Sequence, residues 1–171
     1  MRGFTLIELM VTLAILAMLL LMAAPLAADW VHGARTLQAR GTLVQGFENA
    51  KALALRNPCG APNETQAYAA VLQAELDVDG TTVMLNVRAQ DKDAVVPQGV
   101  SGCALLDTRR DPQWTARLPD GVGLTLNGTL LTTSSTPLPP EKLDNRGLPA
   151  ASIPFTLRRG GNQNDETGTL H

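Results

Sequence analysis

The sequence has few residues of the types from which catalytic and metal sites are usually built. It contains only two histidines and two cysteines. His32 and His171 lie far apart in the chain, and neither accompanies a recognisable nucleophile motif. Cys59 and Cys103 do not have the close spacing of metal ligands. A glycine-rich phosphate loop is also missing, so we expect a protein that is not an enzyme and that needs no metal or cofactor.

An excess of charge of either sign is missing as well. The chain has 14 basic and 16 acidic residues, which gives a formal net charge of −2. Such a balance provides no general attraction to nucleic acid or to an anionic membrane. The sequence contains no internal repeat, and about 115 residues after Asn57 are enough for one head with a single core.

Charged side chains are absent from residues 9–28, directly after the acidic residue Glu8. About 20 helical residues, at roughly 1.5 Å each, match the thickness of a bilayer core of about 30 Å. A carboxylate in such a segment costs about 2.5–3.5 kcal/mol on insertion scales, and it usually marks a functional site. The sequence therefore predicts a membrane-spanning helix in which Glu8 needs a partner.

Two simpler interpretations of this segment have to be weighed. A cleaved secretory signal has a basic start, a short apolar core and an Ala-x-Ala-like cleavage site. Here Glu8 interrupts the start of the core, the core is too long, and no Ala-x-Ala triplet occurs between Met10 and Trp30. A plain membrane anchor that tolerates its acid by snorkelling remains an alternative.

The first residues, Met-Arg-Gly followed by Phe-Thr-Leu-Ile-Glu-Leu, form a short basic leader and an apolar segment that contains one acid. This pattern resembles the class III signal of type IV pilins and of type II secretion pseudopilins. The resemblance implies that a prepilin peptidase cleaves after Gly3 and methylates the new amino terminus at Phe4. It also implies that Glu8 is the buried acid and that Pro25 bends the helix.

Cleavage after Gly3 would create a cationic amine four residues before Glu8. In a stack of parallel helices, the amine of an incoming subunit can pair with the Glu8 carboxylate of a neighbour, and this pair would set the register. Pro25 removes one backbone hydrogen bond, so it would kink the helix for filament packing or simply mark the membrane exit. Glu8 and Pro25 are therefore the expected assembly residues.

Helical spacing continues beyond the apolar run. The expected apolar face comprises Trp30, Ala34, Leu37, Leu43, Phe47, Ala50 and Ala54. The expected polar face comprises Arg35, Gln38, Glu48 and Lys51. Asn57 precedes a proline and should end the helix. We thus expect a leader at residues 1–3, a membrane or filament-core helix at 4–28, its amphipathic continuation at 29–57 and a β-rich periplasmic head at 58–171.

The head is expected to consist mostly of strands. Residues 68–76 and 82–88 should form a hairpin around residues 77–80, although the first segment is alanine-rich enough to be helical. Further strands are expected at 102–107, 122–126, 129–133 and 153–158. The proline-rich residues 134–150 should cross between strands without joining a sheet, and the tail at 160–171 should be a last short strand or disordered. The fold class is α+β, and it resembles the type IV pilin fold, in which a long N-terminal helix packs on an antiparallel β-sheet head.

The two cysteines are candidates for a disulfide in an oxidising compartment. A bridge between Cys59 and Cys103 would fasten the sheet to the end of the helix and contribute about 4 kcal/mol in the chain-entropy model. Two buried free thiols are the alternative.

Two features suggest a ligand. Glu75, Asp77, Asp79 and Gly80 imitate the start of a calcium loop, but the twelfth position is Asn86, so a polar hairpin turn is favoured. Some minor pilins of the GspH/FimT-like group bind DNA through basic residues near the C-terminus, and here these would be Arg158 and Arg159. The favoured alternative is a solvated strand end whose arginines pair with Asp107, Asp111 or Asp165.

The resemblance implies a function in filament assembly. The sequence looks most like the GspH/FimT/FimU-like minor subunits, and we expect a minor pilin that primes and joins a type IV pilus used in twitching, adhesion or DNA uptake. A GspH-like minor pseudopilin of a type II secretion system is the alternative. The expected partners are other minor and major pilins or pseudopilins, the prepilin peptidase and the inner-membrane assembly platform. The expected location is the bacterial inner membrane, with one span and a periplasmic head, and then the pilus or pseudopilus.

Overall fold

A computed structural model describes residues 5–57, 60, 68–89, 112–131, 137–159 and 165–171, with the backbone alone at residues 23–29 and 159. These residues form one α-helix and eight β-strands, and every strand pairing is antiparallel. The α+β class expected from the sequence is therefore confirmed. The chain divides into two compact units, Met1–Ala34 and Arg35–His171.

Helix α1 comprises Leu6–Arg56. Its first backbone bond runs from the Leu9 N–H to the Thr5 carbonyl oxygen, at 3.2 Å. The helix ends at the expected place, because Asn57 takes a positive φ of 34° and so leaves the helical conformation. Asparagine is one of the few residues other than glycine that adopt this left-handed geometry readily at a helix end.

In the second unit, one face of α1 is buried. The buried positions recur every three or four residues, at Thr36, Ala39, Leu43, Gly46, Phe47, Ala50 and Ala54. The expected apolar face is thus confirmed from Leu43 onwards. It is wrong for Leu37, which is exposed, while Trp30 and Ala34 belong to the first unit. Ala39 lies four residues before Leu43, and Thr36 lies three residues before Ala39, so both share the face of Leu43 because 3.6 residues make one turn. Leu37 lies about 100° round the helix from Thr36 and is therefore on another face.

The strands lie in two four-stranded sheets. In chain order they are β1 Ala70–Leu76, β2 Val83–Ala89, β3 Trp114–Arg117, β4 Val122–Leu126, β5 Thr129–Leu130, β6 Glu141–Leu143, β7 Ile153–Arg159 and β8 Glu166–Leu170. The first sheet has the order β3-β2-β1-β6, and the second has the order β5-β4-β7-β8. The hairpin of β1 and β2 and the strands β4 and β7 confirm the sequence-based predictions, and the helical alternative for residues 68–76 is wrong. Strand β5 confirms only the first two residues of the strand predicted at 129–133, since Leu131 lies outside it.

Three strand assignments differ from expectation or resolve an alternative. Strand β6 lies inside residues 134–150, which were expected to join no sheet, and it pairs with β1 at the sheet edge. The three residues of β6 contain no proline, so their backbone N–H groups remain available for pairing. Strand β3 was missed, since a four-residue segment gives little periodicity. The tail forms β8, while the expected strand at 102–107 and residues 132–133 lie outside the described residues.

The core combines the buried face of α1 with one face of each sheet. Alternate residues of β1 and β2 are buried against it, including Leu72, Leu85 and Val87, as a pleated strand requires. The second sheet contributes Leu124 and Leu157. These aliphatic side chains position the strand ends and turns on which the polar groups of the head lie.

Candidate assembly site

Glu8 lies in the first turn of α1, where its carboxylate is exposed. The Glu8 N–H donates a hydrogen bond of 3.4 Å to the Thr5 hydroxyl oxygen, so Thr5 caps the helix. A threonine followed three residues later by glutamate is the spacing of a capping box, and an acid in the first turn interacts favourably with the helix dipole. The spacing of Thr5 and Glu8 is the sequence signal for this cap. The cap and the helix dipole thus stabilise Glu8 within its own helix, without a neighbouring subunit.

Apolar side chains surround Glu8 along the helix. Every large apolar residue within 6–22 is between 51 % and 78 % exposed. Glu8 is the single charged residue of that segment. Contact of so much apolar surface with water is unfavourable by about 25 cal/mol for each Å². An exposed apolar surface of this extent marks a site of contact with lipid or with another protein.

The structure describes only part of the segment that is predicted to cross the membrane. Across the ranges described, no helix has the length and hydropathy of a membrane span. The predicted segment 4–28 includes Phe4 and the side chains of residues 23–28, which are outside those ranges.

The remaining expected processing and assembly residues are only partly described. Gly3 and Phe4 lie outside the described residues, as do Cys59 and Cys103. Pro25 lies within α1, but its side chain is not described. Cleavage, methylation, helix bending and the disulfide therefore stay predictions from the sequence.

Asp77 and Asp79, which were considered as ligands of a calcium loop, bind neighbouring groups in the turn between β1 and β2. The Asp79 carboxylate accepts hydrogen bonds from the Thr81 and Thr82 N–H groups, at 2.8 and 2.9 Å, and from the Thr82 hydroxyl at 2.7 Å. These bonds hold the pKa of Asp79 well below its ordinary value. Asp77 lies 2.6 Å from the Arg117 guanidinium. Among the residues that the structure describes, no group of three or more acidic, histidine or cysteine side chains could hold a metal ion.

Arg158 lies on the exposed side of the second sheet, opposite Gly123. Its Nε atom is 3.9 Å from the Asp165 carboxylate, so Asp165 is confirmed as one of the expected partners. The Arg159 side chain, Asp107 and Asp111 are outside the described residues.

A polar network on the first sheet was missed, and it is buried except at Glu75, which is half-buried. Arg88 donates a hydrogen bond of 3.0 Å to the Gln73 side-chain oxygen, and Asn86 donates one to Glu75. These four residues share one face, because they alternate with the core residues along β1 and β2. Alternation of polar side chains in both segments was the available signal, but burial of their face depends on the tertiary fold.

Comparison with known proteins identifies one feature of the chain. Residues 1–24 match the family model described as the prokaryotic N-terminal methylation motif. No curated protein and no solved structure gives a match. The matched residues include Gly3, Phe4 and Glu8, together with the capping residue Thr5. The chain therefore carries the N-terminal motif of type IV pilin-like proteins.

Proposed function

We propose that the protein is a minor subunit of a type IV pilus that primes filament assembly and joins the filament. One combination of observations carries the proposal: the methylation motif coincides with a helical segment that exposes apolar side chains and one carboxylate. Both features are expected of a subunit that is first stored in lipid and then transferred into a bundle of helices.

The proposed chemistry centres on Glu8. Prepilin peptidase would cleave after Gly3 and methylate Phe4, which places a cationic amine one helical turn before the carboxylate. The Thr5 cap fixes the direction of that first turn. Among packed helices, the Glu8 carboxylate would pair with the amine of a neighbouring subunit, and loss of one member of such a buried pair costs about 3–5 kcal/mol.

Membrane anchoring by residues 4–28 is part of the same proposal. Trp30 lies two residues beyond this segment, after Asp29, and its side chain is strongly exposed. Tryptophan is enriched where a membrane helix leaves the lipid, because its ring is apolar and its N–H remains hydrated. The head would then lie in the periplasm, where an oxidising environment allows the bridge between Cys59 and Cys103.

The proposed protein is a structural subunit without catalytic activity or a cofactor. Its partners would be other minor and major pilins, the prepilin peptidase and the inner-membrane assembly platform. A GspH-like minor pseudopilin of a type II secretion system is the second candidate, because the same motif serves both kinds of filament. A deletion strain that loses twitching indicates the pilus, whereas one that loses exoprotein release indicates the pseudopilus.

Mass spectrometry of the membrane-extracted protein tests the first step. We expect a mature chain that begins with methylated Phe4 in cells with an active prepilin peptidase. Retention of residues 1–3 in those cells contradicts the proposal. The second step is tested with Glu8→Ala, which should be processed normally but absent from sheared filaments. Thr12→Ala is the matched control, since it removes a polar group one turn further along the same helix and should be incorporated.

A further inference from the structure

We propose that the last strand, β8, is a strap that opens from the second sheet while the rest of that sheet stays folded, and that rising ionic strength favours the open state. Two polar contacts with α1, one at each end of β8, hold the strap closed. This inference goes beyond the proposed function and does not depend on it.

Two basic residues of α1 contact the two ends of β8. The Arg40 guanidinium lies 3.0 Å from the Glu166 carboxylate, and the Lys51 ammonium group donates a hydrogen bond of 3.0 Å to the backbone oxygen of His171. Arg40 and Lys51 are eleven positions apart. Since this is close to three helical turns, they project from the same side of α1, about 16 Å apart. An extended chain from residue 166 to 171 spans about 17 Å, so β8 runs alongside the helix between the two contacts.

Apolar packing contributes little to the attachment of β8. Leu170 is the single residue of this strand in the apolar core. Gly168 has no side chain, and the Phe155 ring fills the space beside it, since an added Cβ atom would lie 2.5 Å from Cζ of that ring. The neighbouring strand β7 contributes three core residues, Ile153, Phe155 and Leu157. Release of β8 therefore exposes much less apolar surface than unfolding of the sheet does, and such local openings require less free energy.

Salt weakens the contact at the first end of β8. The Arg40 and Glu166 side chains are 54 % and 24 % exposed, so dissolved ions screen their attraction. At the other end, Lys51 also lies 3.7 Å from the Glu48 carboxylate of its own helix, and it keeps this partner when β8 leaves. Opening is thus favoured by salt and leaves no buried charge behind. It uncovers the edge of β7 that β8 occupies, and the backbone groups of this edge then become available for pairing.

Amide hydrogen exchange of the full-length, detergent-solubilised protein at low and high salt tests the strap. We expect the peptide that contains β8 to exchange faster in high salt, while β4, which pairs with a strand on each side, keeps its rate. Arg40→Ala should accelerate exchange of β8 about threefold at low salt and remove most of its salt dependence. Lys51→Ala should also accelerate it but should keep the salt dependence, because the pair of Arg40 and Glu166 remains.

A pair of double variants separates the strap from a general effect of charge. Arg40→Ala with Lys51→Ala should accelerate exchange of β8 about tenfold. Arg35→Ala with Arg56→Ala is the matched control, since it removes the same charge from exposed positions of α1 five residues beyond each contact, and β8 should then exchange as in the wild type. Equal acceleration by both double variants overturns the strap, as does exchange of β8 that is independent of salt in the wild type. Acceleration of β4 together with β8 also overturns it, because the whole sheet then unfolds as one unit.

Discussion

Two glycines in α1 have opposite structural surroundings. Gly41 is exposed, and a Cβ atom added there would meet nothing within 4 Å. Gly46 is buried, and an added Cβ atom would lie 2.9 Å from Cζ3 of the Trp114 ring and 3.5 Å from a methyl group of Leu72. The indole of β3 can therefore rest against the helix because position 46 has no side chain.

Substitution of each glycine by alanine tests this interpretation. Gly41→Ala should stabilise the protein by about 1 kcal/mol through its helix propensity. Gly46→Ala gains the same propensity but must displace the Trp114 ring, and overpacking of this kind typically costs about 1–3 kcal/mol. We therefore expect Gly46→Ala to have the lower free energy of unfolding in denaturant titrations of the detergent-solubilised protein. Equal stabilisation by both substitutions would show that the ring moves freely.

Glu141 links the two sheets. It lies in β6 of the first sheet, and its carboxylate accepts a hydrogen bond of 2.6 Å from the Asn127 side chain, in the turn between β4 and β5. Burial raises the pKa of Glu141, while the bond from Asn127 partly opposes that rise. The ionised carboxylate is thus less stable here than in water.

The raised pKa has a defined consequence for stability. The folded state binds the proton of Glu141 more tightly than the unfolded state does. The stability contributed by the protonated side chain is therefore fully present below the ordinary glutamate pKa, and it is lost as pH rises through the raised pKa of the folded state. Glu141→Gln should therefore be more stable than the wild type near pH 7, by less than about 1 kcal/mol because the half-exposed side chain is screened. The difference should vanish near pH 3 in denaturant titrations, when the wild-type acid is protonated. An equal difference in stability at pH 7 and near pH 3 would contradict this interpretation.

At the scale of elements, the β1–β2 hairpin is fixed by its own turn. Gly80 has a φ of 68°, a conformation that glycine adopts without strain. The Asp79 carboxylate then ties the following N–H groups of Thr81 and Thr82 to the turn. Because its pKa is lowered, these bonds are present above the ordinary aspartate pKa and weaken as pH falls through the folded value.

Asp79→Ala should loosen this turn without unfolding the strands. We expect faster amide hydrogen exchange at Thr81 and Thr82, because their N–H groups lose the carboxylate acceptor. Exchange in the centres of β1 and β2 should stay close to the wild-type rate. Val78→Ala is the control, since Val78 is fully exposed in the same turn and should leave exchange unchanged. Unchanged exchange in Asp79→Ala would mean that the backbone alone holds the turn.

Strand β6 shows why proline content is a poor guide to a single short element. Prolines at 139 and 140 directly precede it, yet Glu141, Lys142 and Leu143 pair with Leu72, Val71 and Ala70. Proline disrupts pairing only where its missing N–H is needed, and an edge strand can begin directly after one. Composition averaged over residues 134–150 concealed this local difference.

On the scale of the whole head, apolar packing outweighs the ion pairs that join its elements. Phe47 is almost completely buried in the core shared by α1 and both sheets. Arg40 and Glu166 also join α1 to β8, but the Arg40 side chain is more than half exposed. Desolvated apolar contact is retained in salt, whereas an exposed ion pair is screened.

Two substitutions measure this balance. Phe47→Ala should lower the free energy of unfolding by about 3–5 kcal/mol, since it leaves a cavity in the core. Arg40→Ala should lower it by less than about 1 kcal/mol, and less still in high salt. Denaturant titrations at two ionic strengths make the comparison. Equal losses would indicate that the ion pair contributes as much as the core contact, which contradicts this prediction.

Features that depend on neighbouring residues could be predicted from the amino-acid sequence. These are the methylation motif, the uncharged run after Glu8, the helix end at Asn57 and the β1–β2 hairpin. Each follows from local spacing, backbone sterics or side-chain chemistry, so it could be predicted without knowledge of residues far away in the chain. The helix cap on Glu8 belongs to the same class, because Thr5 was visible three residues earlier.

Which surfaces contact one another depends on the packing of the helix and the sheets. Thr36 is buried while Leu37 is exposed, since the sheets contact α1 along a line that helical periodicity alone does not fix. The edge pairing of β6 and the approach of Trp114 to Gly46 likewise join residues far apart in the chain. Such contacts depend on how the two sheets and the helix pack together, and a local pattern contains no information about the partner that it will meet.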